Sequence, residues 1–323
     1  MASEDLKAVI LAAGKGVRLS QLTRRRPKVM LKFLGKPLLE HTLISLRKAG
    51  IKDIIIVIGY KGDKIIEYFL NGSNIGVNIT YVTDRMISGT ATAIKAAENY
   101  VNSTFLMVFG DVFPEPILLN SLIKRHFEAK KHAGSNIVAT LSLTKVDDPF
   151  NHAPVFFKGE VVEEFWSKKS SWVDMGVMVL EPIVFDKIKQ TPRVRGEYRI
   201  LETLNLLMKE GYKVIAYPSN YPWVQIGDHR GLQSIIEANN YFLDKAGLEN
   251  CIIESEVSDS KLYKTSIIRA QVFNSELSNC LAYENSVIVS SKLMNCIIDE
   301  EVKVIGKKAY GVIFTSSYLS QNL

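Results

Sequence analysis

No apolar run in this sequence of 323 residues approaches the roughly 18 residues that a membrane-spanning helix requires. The opening MASEDLK is polar where a secretory signal needs an apolar core. A cytoplasmic protein without membrane contact is therefore expected. Cysteine is scarce: Cys251, Cys280 and Cys296 form an odd set without CxxC spacing, all in the last quarter of the chain, and free thiols are expected. A strong charge excess is missing too. The formal net charge is +6 and the basic residues are mostly scattered, so no nucleic-acid partner is demanded. What remains is an ordinary composition, 47% hydrophobic and 23% charged, on a chain long enough for one large domain and a smaller one.

Two familiar glycine-loop signatures are also absent. A dinucleotide fingerprint would need a glycine at position 19, which is Leu19. A Walker A loop would continue Gly-Lys with Ser or Thr, but Gly14-Lys15 continues with Gly16. The stretch 7–40 nonetheless organises the chain. Ala8, Val9, Ile10 and Leu11 form the continuous apolar run of a buried parallel strand, and Ala12, Ala13 and Gly14 follow with almost no side chain. Gly14 and Gly16 permit positive φ and close approach, so successive N–H groups can form an anion-binding nest, with Lys15, Arg18 and Lys28 adding positive charge. That is the complement of a triphosphate. From the glycines alone, an ordinary strand-to-helix turn beside a solvated Arg24-Arg25-Arg26 run stays open.

Downstream the pattern alternates. Leu39, Leu43 and Leu46 recur at helical spacing until Gly50, and Ile54 to Ile58 is a buried-strand run. A helix over 61–70, a strand near 77–83, a helix from about Gly89 and a strand over 104–109 ending at Gly110-Asp111 follow. This order predicts an α/β fold with a doubly wound, mostly parallel sheet, whose ligands bind beyond the carboxyl ends of the strands. The Gly14 loop and Asp111 both sit at such ends and are expected to share a cleft. From Asn136 to about Leu180, short β segments predict an antiparallel extension on the substrate side. Ile200, Leu204, Leu207 and Met208 mark a helix, Val214 to Tyr217 a strand, and Asp228 begins a helix to about Lys245. The globular domain is placed at residues 1–247.

Over residues 248–323 helical patterning disappears. Isolated aliphatics recur every five or six residues at Val257, Leu262, Ile267, Val272, Leu277, Leu281, Val287, Leu293, Ile298 and Val302. Asn250-Cys251-Ile252, Asn279-Cys280-Leu281 and Asn295-Cys296-Ile297 repeat one triplet at offsets of 29 and 16 residues. Stacked coils would place such residues in ladders, an irregular β tail being the alternative. So small a core favours packing against another subunit, and a homo-oligomer is expected.

The stretch 7–40 resembles the signature of the sugar-1-phosphate nucleotidyltransferases, or NDP-sugar pyrophosphorylases, approximately LAAGxGTRLxPLTxxxPKxLxPxxGKPLL. Matches are Leu11, Ala12, Ala13, Gly14, Gly16, Arg18, Leu19, Leu22, Thr23, Pro27, Lys28 and Gly35 to Leu39. The resemblance covers about residues 6–245, and the tail resembles the left-handed β-helix of hexapeptide repeats appended to some members, though without their usual glycines. It implies a Rossmann-like nucleotidyltransferase domain that takes a nucleoside triphosphate, a sugar 1-phosphate and Mg²⁺. A sugar-phosphate oxygen would attack the α-phosphorus and release pyrophosphate. That nucleophile is already an anion, so alignment and charge neutralisation replace a general base. By the same resemblance Arg18 holds the leaving pyrophosphate, Lys28 neutralises the α-phosphate, and Leu11 to Gly14 with Gly16 lie against the nucleotide. Gly89-Thr90-Ala91 with Ala93 matches GTAxA, a helix start facing the nucleotide. Asp111 matches the aspartate of a Gly-Asp motif and suits Mg²⁺.

Several positions depart from the family pattern. Val17 and Gln21 replace the signature's threonine and proline. Asp84 stands where relatives that use uracil or thymine carry glutamine. A carboxylate accepts from two donors of a guanine edge, so a guanine preference is expected, with a solvated loop aspartate as the plain alternative. A Tyr-Gly pair under the sugar reads His152-Ala153, and Glu-Lys-Pro reads Ser167-Lys168-Lys169, leaving Lys168 to meet the sugar phosphate. Asp174 and Gly176 match Asn-x-Gly with the asparagine replaced. In Trp-x-Asp-Ile-Gly-Thr the second metal carboxylate becomes the amide of Gln225, with Asp228 near enough in sequence to compensate. The expectation is an active transferase, with a catalytically impaired nucleotide- or sugar-binding regulatory paralogue as its rival. A dinucleotide oxidoreductase is argued against by Leu19.

Overall fold

The computed structural model describes residues 6–316. Met1 to Asp5, on which the expected absence of a signal partly rests, and the last seven positions of the predicted tail, 317–323, lie outside the described residues. Two compact units are present, and they do not coincide with residues 1–247 and 248–323. One comprises the chain up to Lys15 together with Leu39–Trp223; the other comprises Gly16–Leu38 and the chain from Val224 onward.

The first unit is built on a nine-stranded sheet. Its strands are β1 (Lys7–Ala12), β2 (Asp53–Ile58), β3 (Asn78–Thr83), β4 (Phe105–Phe109), β5 (Ile137–Lys145), β6 (Val155–Lys158), β7 (Val161–Phe165), β8 (Trp172–Leu180) and β9 (Lys213–Pro218). They lie in the order β3-β2-β1-β4-β8-β5-β9-β7-β6. β1 pairs in parallel with β2 and β4, and β2 with β3. Its central residues Ala8, Val9 and Ile10 are wholly buried, which is why the run is apolar without alternation. Helices α1 (Leu38–Lys48), α2 (Gly62–Phe69), α3 (Thr90–Ala96), α4 (Pro116–Ala133), α5 (Ile183–Ile188) and α6 (Ile200–Lys209) connect the strands. α1 ends at Gly50 as expected: Gly50 has φ 88°, and the Ile51 N–H reaches back to the Leu46 carbonyl at 2.9 Å.

The antiparallel extension expected over 136–180 takes a different form. β5 and β8 are nine-residue strands inside the main sheet, buried over most of their length, and β8 runs antiparallel between β4 and β5. Only the hairpin β6–β7 forms the outer margin. Runs of buried strand look alike in sequence whether central or marginal, because periodicity reports burial and not strand order.

In the second unit, α7 (Leu232–Lys245) starts four residues later than expected, because Asp228 to Gly231 form a turn in which the Gly231 N–H donates to the Asp228 carbonyl. Beyond it the chain winds into three stacked parallel sheets of five, four and four short strands, which fits a left-handed β-helix. Inward side chains follow a period of five, with Ile267, Val272, Leu277 and Ala282 all buried. Every corner needs a residue in the left-handed region. Glu254, Asp259, Lys264, Arg269, Asn274 and Asn279 fill it at φ between 46° and 51°, so the first coils use side-chain-bearing residues in place of glycine, which appears at the late corners Gly306 and Gly311. A serine ladder ties successive coils: the N–H groups of Ser275, Ser291 and Lys307 donate to the hydroxyls of Ser260, Ser275 and Ser291. Of the repeated triplets, Asn279 and Asn295 stack with a 3.1 Å amide bond, and Cys280 and Cys296 share their rung. The Asn250 triplet is one residue out of step, since Cys251 pairs with Ser266 and that residue with Leu281. All three cysteines are free.

The corner strain is testable. Glu254 adopts φ 46° and makes only an exposed ion pair with Arg269, so Glu254→Asn should raise stability by roughly 0.5 kcal/mol, read as a higher urea midpoint at unchanged slope.

Candidate functional site

Five adjacent strands of the first unit bring the predicted residues to one edge. Where β3, β2, β1 and β4 end, backbone bonds continue the ladder into the loops. The Asp84 N–H donates to Ile58 at 2.9 Å, that of Tyr60 to Ala13 at 3.1 Å, and that of Gly110 to Leu11 at 3.0 Å. Asp111 therefore lies beside the Leu11 to Gly14 loop, and it is half-buried. β8 runs the other way, so its beginning, Asp174 to Gly176, reaches this same edge. From β3 to β8 is four strand spacings, on the order of 19 Å. Small residues are required here. A Cβ on Gly59 would fall 2.8 Å from the Ala13 carbonyl oxygen, and one on Gly176 would fall 2.5 Å from the Phe109 ring. Gly14 does not take the positive φ that it permits; of the two loop glycines Gly16 does, at 62°.

Asp84 corrects an expectation. Its carboxylate is buried rather than solvated, and one oxygen accepts from the N–H groups of Met86 at 2.9 Å and Ile87 at 3.2 Å, the other from the Thr92 hydroxyl at 3.3 Å. A carboxylate committed to its own loop is a poor reader of a guanine edge; its observed work is to shape the turn that presents Gly89. Gly89, at φ 132°, passes so close to Tyr198 that a Cβ would fall 2.3 Å from the Tyr198 carbonyl oxygen. The Thr90 hydroxyl accepts the N–H of Ile200 at 2.9 Å, which caps the start of α6. Thr90 thus holds two helices together through a contact that its motif did not reveal.

The residues expected on the sugar side are gathered by the extended segment 152–154. Pro154 is bridged to Val173 and accepts the Ser167 N–H, while Ala153 accepts the Asp174 N–H at 3.2 Å. Lys168 is exposed in the turn after β7. Asp174 is buried and accepts the Gly176 N–H at 2.9 Å; loss of hydration pushes its carboxyl up to about 7, against the partial relief of that one bond. Trp223, not expected to matter, donates its indole N–H to Met175 at 3.1 Å and packs edge-on against His152 at 5.0 Å.

In the second unit, Gly16 opens a short 3-10 turn, Val17–Leu19, that carries the exposed Arg18. The Thr23 hydroxyl lies 3.2 Å from the carbonyls of both Gly16 and Leu19 and pins the turn. Lys28 begins a second turn, Lys28–Met30, after Pro27. Its stem passes two glycines: a Cβ on Gly16 would lie 3.2 Å from the Lys28 Cβ, and one on Gly227 2.7 Å from its Cδ. The lysine is thereby held along its length. Gln225 is half-buried in the strand Val224–Gln225. Asp228, expected as a possible substitute, is bonded to Arg230. Arg230 engages Asp228 through Nε at 2.8 Å, a terminal nitrogen at 2.6 Å and its N–H at 2.9 Å; burial would raise this carboxyl, but the arginine holds it below the usual range. Taken singly, the half-buried carboxylate of Asp111 and the amide of Gln225 are each donors of a type that a hard cation carried largely by phosphate oxygens accepts.

Among the described residues no helix is long and apolar enough to cross a membrane. A family model described as nucleotidyl transferase matches residues 7–245. The bifunctional protein GlmU of Methanocaldococcus jannaschii is 31% identical over 260 residues, 78% of this chain, which spans 60% of that relative's length. The UTP–glucose-1-phosphate uridylyltransferase AglF of Haloferax volcanii is 32% identical over 65% of this chain and 87% of its own. A solved protein of Bacillus anthracis, described as a candidate glucose-1-phosphate thymidylyltransferase in complex with a sucrose, superposes with a TM-score of 0.64 at 27% identity, covering 74% of this chain and 96% of its own.

Asp174 gives a pH signature. An acid with its native value raised from 3.8 to about 7 makes the folded state hold a proton that the unfolded state releases, so its contribution to stability is lost as pH rises from about 4 through about 7. Asp174→Asn should remove that decline and unfold later than wild type at pH 8, as read from thermal midpoints across the range.

Proposed function

The chain belongs to the nucleotidyl transferase family, and from that premise we propose that it transfers a nucleoside monophosphate from a nucleoside triphosphate to a sugar 1-phosphate, releasing pyrophosphate. A sugar-phosphate oxygen forms the new bond to the α-phosphorus, and the bond between that phosphorus and the bridging oxygen of the β-phosphate breaks. The observation that carries the reading is the edge itself: the Leu11 to Gly14 backbone and Asp111 lie side by side at the ends of paired strands, with Asp174 and Gly176 one strand further along. Small residues there admit a nucleotide to the main chain, and Asp174 and Lys168 supply the sugar side. Arg18 takes the leaving pyrophosphate through its planar fork, while Lys28, its stem fixed by Gly16 and Gly227, meets the charge on the α-phosphate. Asp111, with Gln225 as the second candidate donor, would hold Mg²⁺, which would supply charge neutralisation between the two anions.

Because Asp84 is committed to its loop, the basis for a guanine preference is gone. The names of two similar proteins, a uridylyltransferase and a candidate thymidylyltransferase, favour uridine or thymidine triphosphate. We place the reaction in the cytoplasm, where both phosphorylated substrates occur, and take the tail, with Tyr263, Met294 and Tyr310 exposed on it, as the surface for self-assembly. The replacement of a carboxylate by Gln225, with Asp228 held by Arg230, favours a second reading in which binding survives without turnover.

A screen of five nucleoside triphosphates against a panel of sugar 1-phosphates with Mg²⁺, reading pyrophosphate, decides between them. Turnover with uridine or thymidine triphosphate is expected; tight binding without release of pyrophosphate for any pair would install the second reading. Lys28→Ala should lower the rate by about 10²–10³-fold. Gln225→Asp should lower the Mg²⁺ concentration for half-maximal rate, and Asp111→Asn should abolish turnover, since it removes the charged ligand.

A further inference from the structure

The segment Gly16–Leu38 carries Arg18, Arg24, Arg25, Arg26, Lys28, Lys32 and Lys36 and no acidic residue. Arg25, Arg26 and Lys32 among them meet the β-helix of the same compact unit. Arg26 sets its two terminal nitrogens on Asp299 and Glu300, and its guanidinium lies over the ring of Tyr283, 5.0 Å from the centroid. Arg25 pairs with Glu301 at 2.8 Å. Lys32 pairs with Glu284, and the buried Tyr283 donates its hydroxyl to the Lys32 carbonyl at 3.3 Å. The Arg26 and Asp299 side chains are 12% and 9% exposed, so their pair is drawn largely out of water and fixes geometry. Arg25 and Glu301, at 48% and 63%, are screened and contribute little.

These acidic residues sit where the repeat of the tail changes. Coils joined by Ser255 to Ala270 repeat after 15 residues, and those joined by Ser275 to Ser291 after 16. Both times the added residue falls at the same corner. It lies between Ala282 and Val287, which holds Tyr283 and Glu284, and between Ile298 and Lys303, which holds Asp299, Glu300 and Glu301. The enlarged corner is the one that reaches the basic segment. Arg26 is followed at once by Pro27, with φ fixed at −63°, and by the turn whose first residue is Lys28. Fixing the guanidinium therefore fixes the start of the lysine's turn.

We propose that Tyr283, Asp299 and Glu300 are positioning residues for the transfer reaction: the widened corner of the β-helix grips Arg26 and so sets where Lys28 presents its ammonium. The proposal rests on the reading that Lys28 acts on the α-phosphate. It assigns the tail a part in the chemistry of the first 40 residues, beyond any part in assembly.

The test uses the full chain with D299N/E300Q, which removes both charges at constant size, and K292Q as a control that breaks a tail ion pair remote from the basic segment. In D299N/E300Q, kcat should fall by about 10²-fold while KM for the sugar 1-phosphate moves less than about threefold, because a displaced cation is lost mainly in the transition state. K292Q should keep both. Hydrogen exchange is read alongside, at Met30 and Leu31, whose N–H groups close the Lys28 turn, and at Val272 and Leu277 inside the tail. Faster exchange confined to Met30 and Leu31 supports the proposal. Wild-type kcat, or exchange made equally faster at both places, overturns it, the latter because the acids would then merely hold the tail together. If D299N/E300Q fails to fold, R26K, which keeps the charge and loses the fork, replaces it: a kcat about tenfold lower supports the proposal and an unchanged one overturns it. If wild type turns over no substrate pair, the transfer reading has failed, and exchange at Met30 and Leu31 still decides whether the corner grips the turn.

Discussion

The parallel pairing of Lys7–Ala12 with a buried strand on each side is the constraint on which the candidate chemistry depends. A strand covered on both faces and both edges has no room for polar side chains, so functional groups are displaced to the loops beyond its end. Parallel neighbours put those loops on the same side. The Leu11 to Gly14 backbone, Tyr60, Asp84 and Asp111 are neighbours for that reason and no other. β8 adds a second device. By running backward into the middle of the sheet, it brings its own beginning to the shared edge, and with it Asp174 and Gly176, which lie more than sixty residues downstream of Asp111.

The parts of this arrangement that were legible in the sequence are those that single residues or short runs encode. A continuous apolar run announces a doubly covered strand, and small residues after it announce close backbone approach, so β1, β2, β4 and the glycine-rich loop could be read directly. The position of β5 and β8 within the sheet was not legible, because their apolar runs state burial and leave neighbour choice to long-range packing. Side-chain commitments were also hidden. Asp84 and Asp228 look like available carboxylates in the sequence, yet one is consumed by N–H groups two and three residues on and the other by an arginine two residues on. Those short spacings are a usable signal: an aspartate in a turn is most cheaply satisfied by its own loop.

In the tail, the aliphatic spacing revealed coils, but the corners were obscure. A residue with a side chain in the left-handed region costs roughly 1–2 kcal/mol, which the sequence disguises by using Glu, Lys and Arg where glycine would advertise the turn. The strain is offset by the serine hydroxyls and inward aliphatics that recur with each coil, so that the stack over-determines each corner. The change from 15 to 16 residues per coil, which looked like degeneracy, is local and repeated at one place.

Charge explains why that place matters. A segment bearing Arg24, Arg25, Arg26, Lys28 and Lys32 within nine positions repels itself, and a flexible array of cations would bind phosphate oxygens in many geometries. Pairing Arg25, Arg26 and Lys32 with fixed carboxylates lowers the repulsion and removes those three from competition for an anionic ligand. Arg18 and Lys28 have other surroundings: one is exposed on its own turn, the other has its stem against Gly16 and Gly227. Acids from some 270 residues downstream are thus paired with Arg25 and Arg26, so the distant end of the chain gives neighbouring cations of one basic run different surroundings.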